Sequence, residues 1–411
     1  MVNSNARKES NNVTLLEHQS EVGRREYGLS FTSISILRER VLCKLVDSGF
    51  IVSNNEKLIV PKDKEYFRKV HCEATRYMLR KNSKLIQKFD EQFIEKYVAN
   101  GTDLDVKCID PRLVKVTDEK QSNLFRWIKL HWSIPISAGY GRRLRYILYD
   151  KNNDAVIGII GLADPVFGLR DRDDFIGWDY QTKKSRLKHI MDAFVLGAIP
   201  PYSLILGGKL VATSLMSSKI RHDFSQLYKG SVSIISGEVF NGKLAAITTA
   251  SALGKSSIYD RIKVPRSSAF FHIGWSKGSG EFHFTNGLYE EMFKLASNKV
   301  KWTKNPLWGN GVRNRRVVVQ QALRMMDLPS KFIYHNIPRE LFMVPLGSNT
   351  LKFLQGKSRK IGYYEISNAD LFKYSLDRWL IPRSQRRKEY LSFDKYSYSL
   401  LNSLRNSIVS Q

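Results

Sequence analysis

Residues 144–162, LRYILYDKNNDAVIGIIGL, decide how the middle of this chain is read. Residues 144–149 are apolar and aromatic around one arginine, Lys151, Asn152, Asn153 and Asp154 form a polar turn, and residues 155–162 are apolar again. Two β-prone runs joined by an Asn/Asp turn predict a hairpin, and Gly158 and Gly161 in its second strand mark places where another chain segment comes close. Downstream lies an acidic loop, residues 164–179, followed by a helix at 182–189 and an apolar strand at 193–199. The turn LILGGKL, residues 204–210, then opens a helix to about residue 228. Strand-like runs at 232–235 and 244–249, a short helix at 256–262 and a strand at 269–275 complete the block. That order predicts a mixed α/β, or α+β, domain over residues 131–298.

Upstream, Ile34, Leu37, Val41, Leu42, Leu45 and Val46 are expected on one helical face, and two short apolar runs around Ser53, Asn54 and Asn55 end at Pro61. Long helices are expected over 62–99, stopping at Asn100 and Gly101, with a connector beginning near Cys108 and Pro111. Residues 29–130 are therefore expected to form an N-terminal helical module with a small hairpin, behind a polar arm at 1–28. Residues 299–411 carry 21 Lys and Arg against 7 Asp and Glu, which marks them as a basic, aromatic-rich C-terminal region.

The whole chain of 411 residues has 66 Lys and Arg against 39 Asp and Glu, a net charge of +27. Such an excess favours a polyanionic partner. Nucleic acid is expected ahead of a membrane surface, since no basic amphipathic helix is evident. The N-terminus shows no apolar secretory core and no long apolar run follows, so a cytoplasmic chain with no membrane partner is expected. Cys43, Cys72 and Cys108 lie far apart and read as buried free thiols.

Three sets of residues are candidates for chemistry. Asp164, Asp174 and Asp179 stand in the acidic loop with Asp171 and Asp173, where they either pair with Arg170, Arg172 and nearby lysines or bind Mg²⁺ for phosphodiester cleavage. Gly207, Gly208 and Lys209, at a strand-to-helix junction, offer backbone N–H groups to a phosphate. Two basic clusters, Arg313, Arg315 and Arg316 beside Trp302 and Trp308, and Arg383, Arg386, Arg387 and Lys388 beside Trp379, are candidates for gripping nucleic acid. His189, His222, His272 and His283 show no metal-binding spacing, and Ser256, Ser257 and Tyr259 read as caps or core.

Residues 157–162 (IGIIGL), the step Ile176, Gly177, Trp178 and Asp179, LILGGKL at 204–210, GKSSIY at 254–259 and Ile273, Gly274 and Trp275 together resemble the Druantia anti-phage family DruA. The resemblance covers roughly residues 30–285. It implies a component of a multi-protein bacterial defence system, working beside a helicase-like protein and other accessory proteins, and brings no assigned catalytic residue. The block also looks like the GNAT acyltransferase layout, in which a glycine turn receives the pyrophosphate of coenzyme A. Here residues 204–210 depart from the acetyltransferase pattern [Q/R]xxGx[G/A]. A DNA-binding subunit is the leading expectation, with a Mg²⁺-dependent nuclease or a GNAT-like transferase as the enzyme alternative.

Overall fold

A computed structural model describes residues 31–53, 57–137, 139–232, 237–265, 267, 269–278, 280–285, 287–300 and 312–409. The arm at 1–28, Trp302 and Trp308 lie outside the described residues, as does most of the strand-like run at 232–235. The chain divides into two units: residues up to 74 with Lys277–Ile337, and Thr75–Ser276 with residues from 338 onward. The divisions expected at 130/131 and 298/299 fall inside these units.

In the first unit, helix Phe31–Asp47 buries Ile34, Leu37, Val41 and Leu45 of the expected face, whereas Leu42 is half-buried and Val46 exposed, at the edge of that face. A two-residue hairpin follows, β1 (Ile51–Val52) against β2 (Leu58–Ile59), with Ile51 opposite Ile59. Helices Leu288–Ala296 and Val312–Met325 add Met292, Val318, Val319 and Leu323 to the buried set. Phe50 rests on Phe282 and His283, with ring centroids 6.4 and 5.4 Å apart.

The second unit is built on a seven-stranded sheet. Its strands are β3 (Pro111–Lys115), β4 (Arg143–Asp150), β5 (Ala155–Ala163), β6 (Ile190–Ala198), β7 (Ala246–Ala250), β8 (Phe271–Trp275) and β9 (Glu340–Pro345). They lie in the order β3-β4-β5-β6-β7-β9-β8, antiparallel except for the β6–β7 pair, where Ile190 stands beside Ala246. The expected hairpin is β4–β5, with Arg143 opposite Ala163 and Asp150 opposite Ala155. Its glycines have the anticipated role. A Cβ on Gly158 would meet the Gly197 carbonyl oxygen across the ladder, and one on Gly161 would lie 2.5 Å from Phe194 Cζ.

Tyr146, Leu148, Ile160, Met191, Ile247 and Phe342 share one core with Leu210 and Val211 of helix Gly207–Thr213. A second core joins Ile147, Ile159 and Val195 to Phe93, Trp127, Leu400 and Leu404, from helices Ser83–Tyr97, Glu119–Lys129 and Leu400–Val409. Asp90 ties the last of these down. Its buried carboxylate accepts from Trp127 Nε1 at 2.6 Å, Ser399 Oγ at 2.6 Å and the Leu400 amide at 3.1 Å.

Several expectations change here. Residues 338–411 are part of the sheet unit rather than a separate basic tail: β9 lies between β7 and β8, and Leu371, Phe372, Trp379 and Leu380 join the first core. The connector after Cys108 contains β3 and helix Glu119–Lys129. The acidic loop contains a helix, Arg170–Ile176, and the helix expected to reach residue 228 breaks at Ser217, whose side chain accepts from the Lys219 amide. Cys43 and Cys108 are exposed rather than buried, since the first sits off the apolar face of its helix and the second in a loop where its thiol reaches Asp105.

Candidate functional site

Each carboxylate of the acidic segment has a local partner. Asp164 holds Arg142: the guanidinium Nε donates to its Oδ1 at 2.7 Å and the Arg142 amide to its Oδ2 at 3.0 Å, a turn that Gly141 makes at φ 65°. Arg142 also donates to the Lys188 carbonyl at 2.8 Å and lies within 5.1–5.5 Å of the Phe224, Tyr228 and Phe240 rings. Asp173 accepts from the fully buried Arg172 at 2.6 Å and from Lys183 at 2.9 Å. Asp171 accepts the Trp275 amide at 2.7 Å. Asp179 caps helix Tyr180–Arg186 through the Thr182 amide at 2.8 Å, and these bonds hold its carboxyl below the usual range. Asp174 is exposed and pairs with Arg170 at 3.2 Å. The carboxylates thus serve separate structural bonds, and among the described residues no three His, Cys, Asp or Glu gather as metal ligands.

The glycine turn is tightly packed. A Cβ on Gly207 would lie 2.6 Å from the Tyr202 carbonyl oxygen, and the Lys209 amide already donates to Leu206 at 2.9 Å. Lys209 is buried, with its ammonium 5.2 Å from the Trp379 ring centroid, and burial followed by Arg261 and Arg378 lowers its pKa. Ser256 caps the turn at Tyr259, accepting the Tyr259 amide at 2.9 Å, and Tyr259 stacks on Phe270 at 5.3 Å.

The C-terminal cations divide between the two units. In the first, Arg315 lies over the Tyr289 ring at 3.8 Å, and Arg316 donates to Tyr334 Oη at 2.7 Å; the side chain of Arg313 lies outside the described residues. In the second, Arg386, Arg387 and Lys388 are exposed, Arg387 pairs with Glu389 at 3.2 Å, and Arg383 is half-buried.

The sequence reading passed over a further concentration of charge. A cavity of about 500 Å³ opens where β3, β4 and helix Glu119–Lys129 meet. Its described lining holds Lys115, Arg126, Lys129, Arg143 and Arg145, and no carboxylate. Phe125, Leu144, Phe194 and Leu227 supply the apolar part. Arg143 and Arg145 stand two apart on β4 and so share a face of the sheet, while Arg126 and Lys129 stand three apart on the helix.

These cations are braced by neutral groups. Arg145 donates to Ser122 Oγ at 3.2 Å, Arg126 to Asn82 Oδ1 at 3.2 Å, and Arg143 to the Gly139 carbonyl at 3.0 Å. Among the described residues none of the five joins an ion pair. Burial first, then Arg126, Arg145 and Arg143, pushes Lys129 down to about 8, and burial followed by Arg143 and Arg126 lowers Arg145. A lining of that charge suits an anion. The spacing of Arg126, Lys129, Arg143 and Arg145 was visible in the sequence, but their convergence depends on the pairing of β3 with β4.

The cavity lies within the part of the chain that has recognisable relatives. No solved structure matches the chain. The family described as Druantia protein DruA matches residues 61–356. The Druantia protein DruA of Escherichia coli (strain UMEA 4076-1) is 36% identical over 358 residues, covering 86% of this chain and 88% of that protein. The chain therefore belongs to the DruA family of Druantia proteins.

Proposed function

We propose that this chain is a nucleic-acid-binding component of a Druantia-type anti-phage defence system, acting in the cytoplasm beside the system's other proteins, a helicase-like protein among them. Family membership supports the defence role and a multi-protein setting. No described helix is long and apolar enough to cross a membrane. The observation that carries the nucleic-acid reading is the cleft: five cations from three elements and no carboxylate in its described lining, with Lys115, Lys129 and Arg145 half-buried and Arg126 and Arg143 exposed, inside a chain of net charge +27. Phosphate groups are the ligand such an arrangement fits, because multiple negative charges offset the mutual repulsion of the cations. The GNAT-like reading rests on the parallel β6–β7 pair and the glycine turn, which follows the short turn Tyr202–Ile205 rather than leaving β6 directly. It is carried here as architecture alone, since Lys209 is turned into the core and the turn is filled.

The test is binding of single- and double-stranded DNA by the purified chain across a salt series, with and without Mg²⁺, on gels that also display cleavage products. Engagement of three to five phosphates gives a slope of log K against log salt of about −2 to −3.5 on single strands. Absence of binding at low salt, or Mg²⁺-dependent products from the purified chain, would overturn the recognition reading.

A further inference from the structure

We infer that the cleft takes consecutive phosphate groups, held between Arg143 and Arg145 of β4 on one side and Arg126 and Lys129 of the helix on the other. The inference rests on the proposed reading of the cleft as an anion interface and specifies its occupant. Three arginines present planar donor forks, which suit phosphate oxygens better than a single point charge does. A lone monoanion would leave most of the cationic lining unmatched, whereas an oligophosphate or a stretch of nucleic-acid backbone matches several cations at once. The donors are already oriented: Ser122 and the Phe125 ring, 5.8 Å away, hold Arg145, and Asn82 holds Arg126. A volume of about 500 Å³ admits a nucleotide-sized unit and is too small for a duplex. The wall gives that unit an apolar side, because the absence of a side chain at Gly161 lets the Phe194 ring lie across the sheet.

Lys129 provides a signature that general stickiness lacks. Burial and then the neighbouring arginines push its ammonium down to about 8, so wild-type affinity for inorganic tripolyphosphate falls relative to that of Lys129→Arg as pH is raised from about 7 to about 9. The Lys129→Arg variant keeps its charge over that range, so the probe's own last ionisation acts on both proteins and cancels from the comparison.

The experiment uses the full chain and two probes, inorganic tripolyphosphate by calorimetry and a labelled single-stranded oligonucleotide by anisotropy. In the double variant Lys129→Gln, Arg145→Gln, affinity drops about tenfold or more, the worth of a lost charge-assisted hydrogen bond. The exposed pair Lys62→Gln, Lys64→Gln changes it less than about twofold, as expected for screened surface charge. Loss for the oligonucleotide alone identifies a strand backbone as the occupant, loss for tripolyphosphate alone a free oligophosphate, and loss for both a cleft open to either. Loss for neither, in double-variant protein that melts like the wild type, overturns the inference. Lys129→Gln alone replaces the double variant if the latter fails to fold. Salt-sensitive DNA binding untouched by the cleft variants would sink this inference and leave the wider function standing; tripolyphosphate binding without DNA binding would do the reverse.

Discussion

Replacing Asp164, Asp179 and Asp174 by alanine one at a time separates structural carboxylates from catalytic ones. Asp164→Ala strands Arg142 among three aromatic rings, with only the Lys188 carbonyl left as a partner. Breaking a fully buried pair costs about 3–5 kcal/mol. Here the side chains are 20% and 26% exposed, so water recovers part of the loss and about 2–3 kcal/mol remains. Asp179→Ala removes a helix cap, worth about 1 kcal/mol. Asp174→Ala removes an exposed pair one helical turn apart and costs at most about 0.5 kcal/mol. Thermal melts of the purified variants, followed by circular dichroism, should rank them in that order, with Asp164→Ala lower in midpoint by about 4–8 °C. Equal shifts for Asp164→Ala and Asp174→Ala would refute the pairing argument. So would an Asp164→Ala variant that melts like the wild type yet loses a Mg²⁺-dependent activity, since that result would make the carboxylate a metal ligand.

Gly161→Ala forces a methyl to within 2.5 Å of Phe194 and 2.7 Å of Val195 and should cost about 1–3 kcal/mol, whereas Gly168→Ala, with nothing within 4 Å, should be near neutral; urea midpoints compare them. Asp90→Ala leaves the Trp127 indole and the Leu400 amide unpaired, so a loss of about 2–3 kcal/mol and early proteolysis of the C-terminal helix are expected, and a wild-type digestion pattern would count against it. Burial lowers His189 to about 4, below its unfolded value, so the folded state binds fewer protons between about pH 6.5 and 4 and stability falls as pH drops through that window; His189→Gln should make the acid limb shallower in urea titrations. Burial raises Asp192 to about 6 even though Thr248 Oγ1 donates to it at 2.7 Å, so its contribution is lost as pH rises through 6, and Asp192→Asn should gain about 1–2 kcal/mol at pH 8; a less stable variant there would contradict the sign.

Local chemistry was legible in the sequence and distant pairing was not. The β4–β5 hairpin is specified by a turn of Asn and Asp between β-prone runs, and the helix at 31–47 by its apolar spacing, so each could be placed without reference to the rest of the chain. β9 could not. Its six residues are all buried, and a strand covered on both faces has no alternation to distinguish it from any short apolar run. It reaches the sheet between β7 and β8 only after the excursion of residues 277–337 into the other unit, so the tail read as a basic appendage when it holds a central strand. β3 escaped notice for a different reason: an edge strand of five residues beginning with Pro111 and ending with Lys115 has the composition of a connector.

The same distinction explains why the cleft was missed. Dense cationic runs such as Arg386, Arg387 and Lys388 attract attention because they are adjacent in sequence, but neighbours on an exposed turn diverge into solvent, where each charge is screened. Arg315 and Arg316 already lie against Tyr289 and Tyr334, so their alternation with aromatic residues along the chain partly reflects packing within the unit. Lys115, Arg126, Lys129, Arg143 and Arg145 are sparse by comparison, spread over 31 positions and interleaved with apolar residues. Those apolar residues are what anchor helix Glu119–Lys129 and β4 in the second core, and in doing so they turn the intervening cations toward one space. Burial against those apolar residues, and then the neighbouring arginines, lowers the pKa of Lys129. A cation that resists protonation in the folded protein marks where a polyanion would restore the charge balance, and linear charge density along the chain contains no trace of it.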